Sequence, residues 1–226
     1  EVGFNQKTNL LAVTTLSFDI AVVELFVPLI MGGAIYFADK FQVLDGMEIA
    51  RIIETYGINT IQGTPATFRL LLASRFSKFD KFKIICGGEP FPLDLAQTLF
   101  DKGAQIWNAY GPTETTVWSL LKKFESRPER ITIGRPIANT QVLILDEQLN
   151  KVPQGEVGEI CIGGLGLAVG YYKDLEKTEK SFIDHPKWGR IYKTGDLGRL
   201  LVDGEFECLG RNDSQVKIRG YRIELG

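Results

Sequence analysis

The 226-residue sequence has one histidine, three cysteines and two methionines, and it has no excess of either charge: 26 lysines and arginines stand against 28 aspartates and glutamates, a formal net charge of −2. A near-neutral chain carries no basic field for nucleic acid or for an anionic membrane, so neither is expected as a partner. No apolar run reaches the roughly 20 residues that a spanning helix needs. Residues 1–7 have neither the charged start nor the cleavage pattern of a secretory signal, which points to a cytoplasmic chain. Cys86, Cys161 and Cys208 are odd in number, far apart and set in apolar runs. They read as reduced core thiols rather than a disulfide framework or a metal site. His185, beside Pro186, reads as a surface loop residue.

What is present is ordinary core-forming material, 44% hydrophobic, arranged in two styles. The first alternates strands and helices. Asp45 and Glu48 have the spacing of a capping box, Ile49, Ile52, Ile53 and Tyr56 follow at helical intervals, and Gly57 ends the turn. Strands are predicted over 58–62, 83–86 and 105–108, with helices opened by Pro65 and spanning 93–100. The fold class is therefore α/β, a mostly parallel sheet layer with helices, in which ligands bind at the carboxyl ends of strands. Gly63, Gly87, Gly88, Asn108, Ala109 and Tyr110 fall at those ends; each glycine has the alternative of a plain left-handed turn residue.

From Val117 the pattern turns to short strands, over 141–145 and 159–162, and to a pair, 199–202 and 205–208, joined across Asp203-Gly204 as a two-residue hairpin. A smaller β-rich, barrel-like subdomain is expected, with 126–130 as a polar connection. The division reads as 1–116 for the α/β part, 117–211 for the β-rich part and 212–226 for the start of a further piece. The chain opens on Glu1 and closes on Gly226 in mid-pattern, as a piece of something longer would.

The run Asn108-Ala109-Tyr110-Gly111-Pro112-Thr113-Glu114 follows a predicted strand and gathers the groups an adenylate site needs. An amide suits a purine edge, a flat ring can stack, a hydroxyl reaches a phosphate oxygen, and a carboxylate holds magnesium through oxygen. The plain alternative is a turn built on Gly-Pro. Three further runs follow in order: 158–171, rich in glycine; Tyr192-Lys193-Thr194-Gly195-Asp196-Leu197; and 210–225, containing Gln215-Val216-Lys217-Ile218-Arg219-Gly220. Upstream, Asp19 stands between Phe18 and Ile20 in an apolar stretch, where a carboxylate is costly to bury without a cation or donors. Its alternative is an ordinary helix N-cap.

Across essentially the whole chain these ordered motifs resemble the adenylation domains of nonribosomal peptide synthetases. The resemblance implies activation of a carboxylic acid by ATP and Mg2+ as an acyl-adenylate, then transfer to a phosphopantetheine thiol on a carrier protein, with condensation domains as neighbours. It assigns Asn108, Ala109, Tyr110 and Gly111 to the adenine, Thr113 to the phosphate and Glu114 to the magnesium. Asp196 and Arg211 go to the ribose. Asp213 becomes the hinge of a C-terminal lid that begins at 212. Asp19 would pair with the substrate ammonium, which favours an amino acid. Ile20, Val23, Gly63, Ile85, Gly87, Gly88, Ala109, Val117 and Trp118 would line the side-chain pocket; none carries a charge, so an apolar or aromatic amino acid is expected. The family's phosphate loop and catalytic lysine would lie outside the chain. Cys208 stands where the family often has an aromatic, and Val169 where it commonly has arginine, so neither position receives a role. Asp196 has the alternative of a turn residue after Gly195, Arg211 that of a surface cation, and Lys217, Arg219 and Arg222 that of a solvated basic face. For the whole chain, an acyl- or aryl-CoA synthetase or a nucleotide-binding fragment without turnover remain the alternatives.

Overall fold

Residues 1–212 are described throughout, with the backbone of Gln215–Ile218 and Tyr221–Glu224, in a computed structural model of the chain. The chain separates into two compact units, Glu1–Asn108 with Lys123–Ile131, and Ala109–Lys122 with Thr132–Gly226.

In the first unit strands and helices alternate: β1 (Asn9–Ala12), α1 (Ala21–Ile30), β2 (Ala34–Phe37), α2 (Gly46–Tyr56), β3 (Thr60–Gly63), α3 (Pro65–Ala73), β4 (Lys83–Gly87), α4 (Leu93–Asp101) and β5 (Gln105–Tyr110). The strand order is β2-β1-β3-β4-β5, and the β1 pairs with β2 and β3 and the β3–β4 pair are parallel. The α/β alternation produces these parallel pairs, because each helix carries the chain back to start a strand in the same direction. In α2 the spacing of Ile49, Ile52 and Ile53 turns all three into the core, where they meet Ile61, Phe68, Leu71, Ile84, Leu95 and Ile106. Each fully buried side chain of this kind contributes about 1.5–3 kcal/mol.

The α2 termini depart in one respect from the expected capping box. Asp45 caps, accepting from the Met47 N–H at 2.8 Å, but Glu48 accepts three hydrogen bonds from the Arg51 guanidinium instead of reaching back. An arginine one turn along offers a charge-assisted partner, which competes with a single backbone N–H. Gly57 ends the helix in the left-handed conformation, φ +62°. Residues 126–130 do not merely bridge two parts. They pack within the first unit, where Arg127 pairs with Asp101 at 2.9 Å and the Gln97 amide donates to the Pro128 carbonyl at 2.8 Å.

In the second unit β6 (Leu120–Lys123) pairs antiparallel with β7 (Arg135–Pro136). A five-stranded antiparallel sheet follows, built from β8 (Thr140–Leu145), β9 (Gly158–Gly164), β10 (Phe182–His185), β11 (Gly189–Leu200) and β12 (Phe206–Arg211), with α5 (Leu175–Ser181) before β10. Its order is β10-β11-β9-β8, and β12 also pairs with β11. Residues Val142, Ile144, Ile160, Ile162 and Phe206 alternate into one core cluster, and Leu143, Leu145, Cys161 and Ile191 form another, as a strand's period of two requires. The two backbone stretches β13 (Gln215–Ile218) and β14 (Tyr221–Glu224) pair antiparallel.

Three local expectations change here. The turn between β11 and β12 is not a two-residue hairpin: Leu201 N–H bonds to Glu205 O, Gly204 N–H to Leu201 O, and Gly204 sits at φ +78°. This is the three-residue loop, a turn closed by a left-handed glycine, that Asp-Gly also suits. His185 is not in a loop but ends β10, half-buried, where its Nδ1 accepts from the Lys187 and Trp188 N–H groups. It organises the tight return into β11, which no neighbouring residue type announces. All three cysteines are free. Burial raises the Cys86 thiol well above the usual range and pushes Cys161 up to about 12, so both are inert core thiols.

Candidate functional site

β5 delivers the motif that opens at Asn108. Asn108 and Ala109 are buried, and Tyr110 is the last residue of the strand. Gly111 follows where a Cβ would meet the Val117 carbonyl oxygen at 2.5 Å and the Ser119 nitrogen at 2.8 Å, so only glycine lets the two backbone segments pass. Thr113–Thr115 forms a short 3-10 turn with Thr113 exposed and Glu114 buried. Beyond it Thr116 and Val117 adopt φ +65° and +66°, and Trp118 N–H bonds back to Thr116 O at 2.9 Å. Positive φ is strained for β-branched residues, at about 1–3 kcal/mol each, and such strain concentrates at functional loops. The Thr116 hydroxyl donates to the Gly166 carbonyl at 2.6 Å, and the Thr115 and Ser119 hydroxyls meet at 2.6 Å.

Within the second unit this loop meets the Thr-Gly-Asp motif. The Tyr110 hydroxyl donates to Asp196 Oδ2 at 2.5 Å, while Arg211 Nη1 donates to Thr194 O at 2.8 Å and approaches Asp196 Oδ1 at 3.4 Å. Strand register explains the meeting. Asp196 is paired with Arg211 across β11–β12, and β11 carries a bulge against β9 between Lys193 and Leu197 that aims Asp196. Around it, Asp196 N–H donates to Thr194 Oγ1 at 3.0 Å, Thr194 Oγ1 to Ile160 O at 2.7 Å, and Gly195 N–H to Glu159 Oε1 at 2.9 Å. Gly195 has φ +73°, and a Cβ there would stand 2.6 Å from Arg211 Nη2. Burial of the Tyr110 hydroxyl and the facing Asp196 carboxylate hold this phenol well above the usual range, so it stays a donor.

Glu114 accepts from the Tyr171 hydroxyl at 2.6 Å, and its own carbonyl accepts from Ala168 N–H at 2.9 Å. Burial and then the Glu114 carboxylate raise the Tyr171 phenol. Among the described residues no three histidine, cysteine, aspartate or glutamate side chains gather as a metal cage. A single carboxylate is nevertheless the donor set that suits magnesium when phosphates and waters supply the other ligands, so Glu114 fits that ion. Val169 is exposed, and its carbonyl, with that of Ala168, accepts from the Arg190 guanidinium. Cys208 is half-buried against the β-sheet core.

The first unit holds most of the remaining residues. Ile20 and Val23 are half-buried at the start of α1, Gly63 closes β3, Ile85 and Gly87 lie buried in β4, and Gly88 follows with φ +81°. A Cβ at Gly88 would touch Ile20 Cδ1 at 3.4 Å and Thr64 Cγ2 at 3.7 Å. Val117 and Trp118, buried, belong to the second unit. Asp19 does not cap α1: the N-cap is Ile20, without a side-chain bond, and Asp19 Oδ2 is buried with no hydrogen-bond partner. Asp213 lies outside the described residues.

Sequence reasoning passed over Glu24 and Gln62. Glu24 is fully buried in α1 and accepts from Val13 N–H, Thr14 N–H, the Thr14 hydroxyl and the Gln62 amide. Burial raises its carboxyl, and the Thr14 bonds pull it back. The signal available was one acid within an otherwise apolar helix, Ala21–Ile30. Tyr171, the last residue of the Gly-rich run 158–171, carries no role in the motif reading either.

Comparison with known proteins places this geometry in context. A family model described as AMP-binding enzyme matches residues 1–172. The chain is 43% identical over 229 residues to a dimodular nonribosomal peptide synthase of Bacillus subtilis (strain 168), covering 99% of the chain and 10% of that protein. It is 39% identical over 232 residues to tyrocidine synthase 3 of Brevibacillus parabrevis, covering 100% and 4%. The chain thus spans a tenth or less of the length of these relatives. Among solved structures, a four-domain nonribosomal peptide synthetase bound to AMP and glycine superimposes with a TM-score of 0.89 at 43% identity, covering 98% of the chain and 17% of that protein. A synthetase protein with adenylation and PCP domains, bound to a vinylsulfonamide inhibitor, gives 0.89 at 30% identity, covering 99% and 40%.

Proposed function

This chain belongs to the AMP-binding enzyme family, with nonribosomal peptide synthetases as its relatives, and from that premise we propose that it activates an amino acid with ATP as an aminoacyl-adenylate. The observation that carries the proposal is the Tyr110–Asp196–Arg211 cluster, in which a carboxylate is held by strand register between a phenol and a guanidinium. Such a carboxylate is a charge-assisted acceptor for a ribose's vicinal hydroxyls, with Arg211 as a donor and the Tyr110 ring as a surface for the adenine beside Asn108.

In the reaction a substrate carboxylate oxygen bonds to the α-phosphorus while the bond to the departing pyrophosphate breaks. The work left to the protein is positioning and charge stabilisation. Thr113 is exposed on its turn and offers a hydroxyl to the phosphates. Glu114 would hold a magnesium ion, which neutralises phosphate charge when bound. Asp19 takes the substrate ammonium, a role supported by its buried and unpartnered Oδ2. The side-chain residues named for the pocket are otherwise uncharged, which favours an apolar or aromatic amino acid. The adenylate then passes to a phosphopantetheine thiol on a carrier domain, with condensation domains as further neighbours, a reading supported by the adenylation and PCP domains of one similar structure. On this reading Asp213 is the hinge of a lid. No helix among the described residues is long and apolar enough to cross a membrane.

Acid-dependent exchange of labelled pyrophosphate into ATP, run on the full-length polypeptide over a panel of amino, aryl and fatty acids, tests the proposal. Exchange driven by an apolar or aromatic amino acid is expected. Exchange driven by aryl or fatty acids alone would overturn it in favour of a CoA-ligase activity.

A further inference from the structure

The connection from β1 to α1, residues 13–20, carries Asp19 and is tied at its two ends to two side chains that bond each other, Glu24 and Gln62. At its start, Glu24 Oε2 accepts from the Val13 and Thr14 N–H groups at 3.1 Å each, and Oε1 accepts from the Thr14 hydroxyl at 2.6 Å. At its end, the Gln62 amide donates both to Glu24 Oε1 at 3.3 Å and to the Ile20 carbonyl at 3.0 Å. Ile20 follows Asp19 directly and has no side-chain cap of its own. Helix α1 therefore opens on a bond supplied from β3, through an amide that a buried glutamate orients.

A carboxylate at 0% exposure is an expensive way to pin a loop, since desolvating a charge costs more than its bonds return unless its donors are all well placed. An apolar residue in α1 would fill the space at lower cost. What it could not do is hold residues 13–14 and residue 20 in one fixed relation while Asp19 Oδ2 stays shielded and unbonded.

We propose that Glu24, acting through Gln62, is a positioning residue that sets the carboxylate of Asp19 for the substrate ammonium. This rests on the reading of Asp19 given above. Glu24 touches no reacting atom; it sets the loop that carries one that binds.

The test is pyrophosphate exchange in the full-length polypeptide with an amino acid and its 2-hydroxy counterpart, which brings no cation. Glu24→Gln should raise the KM for the amino acid on the order of tenfold or more, as small misplacements of a binding group do, and leave the KM for the hydroxy acid and for ATP nearly unchanged. Gln62→Leu, which keeps the volume and removes the amide, should show the same selectivity; it carries the test should Glu24→Gln fail to fold. In the Asp19→Ala background Glu24→Gln should cost nothing further for the amino acid, because the group it positions is gone. If Asp19→Ala separates the two acids but neither Glu24→Gln nor Gln62→Leu does, the positioning role is overturned and Glu24 is a structural carboxylate. If Asp19→Ala itself harms both acids equally, the ammonium reading falls first.

Discussion

Two carboxylates, one in each unit, meet burial in opposite ways. Asp196 is bonded by the Tyr110 hydroxyl and approached by the Arg211 guanidinium, and its own N–H is tied to Thr194. Asp19 has an oxygen that is shielded from solvent and bonded to nothing. A carboxylate satisfied by its own chain is preorganised before any ligand arrives, because its hydrogen bonds already fix its direction. One left unsatisfied stores a penalty that a cationic ligand would relieve. The first arrangement suits hydroxyls, which bring weak partners and need fixed geometry. The second suits an ammonium, which brings its own charge.

Removing Asp196 should have the largest effect. On the proposed reading Asp196→Ala takes a charge-assisted acceptor from two ribose hydroxyls, about 1.5–3 kcal/mol each, so the KM for ATP should rise by far more than tenfold in steady-state exchange. An unchanged ATP saturation curve would break the comparison at its satisfied end. Asp19→Ala should cost about 3–5 kcal/mol in amino-acid activation, the penalty of a buried charge losing its partner, and should spare the 2-hydroxy acid. Equal losses on both acids would break the comparison at its unsatisfied end.

Smaller changes sharpen the picture. Gly195→Ala imposes a side chain at φ +73° against Arg211, and about 1–3 kcal/mol of stability should be lost, read as a lower Tm in calorimetry. Tyr110→Phe should have the smallest effect near neutral pH and a clear one in alkali. The folded-state phenol is raised well above 10, so above the pH where the unfolded phenol ionises the native state holds the extra proton. Wild-type stability should then fall as pH rises past about 10. Denaturant titrations of Tyr110→Phe over the same range should be flatter, and matching slopes would show that neither burial nor the Asp196 carboxylate raises the phenol.

Much of this was legible along the chain. The α/β alternation, the apolar spacing of α2 and its end at Gly57 follow from local rules, because helix and strand periods are written in consecutive residues. The loop after β5 and the Thr-Gly-Asp turn could be found for the same reason, each being a run of neighbours. Glu48 was misread because capping and i,i+3 pairing compete for one side chain. The β11–β12 loop was misread because Asp-Gly serves turns of more than one length.

Composition and spacing therefore set the class of fold, the order of its elements and the candidate motifs, since these depend on residues within a turn or a strand of one another. Folding in three dimensions set the rest. That Tyr110 would donate to Asp196, 86 residues on, depends on a bulge in β11 and on the register of β12. That Glu24 would hold one end of the loop bearing Asp19 and reach the other through Gln62 depends on β3 delivering that amide. Hydrogen bonds between distant residues act over about 3 Å, and linear spacing carries no information on which carboxylate will find a donor and which will be left waiting for one.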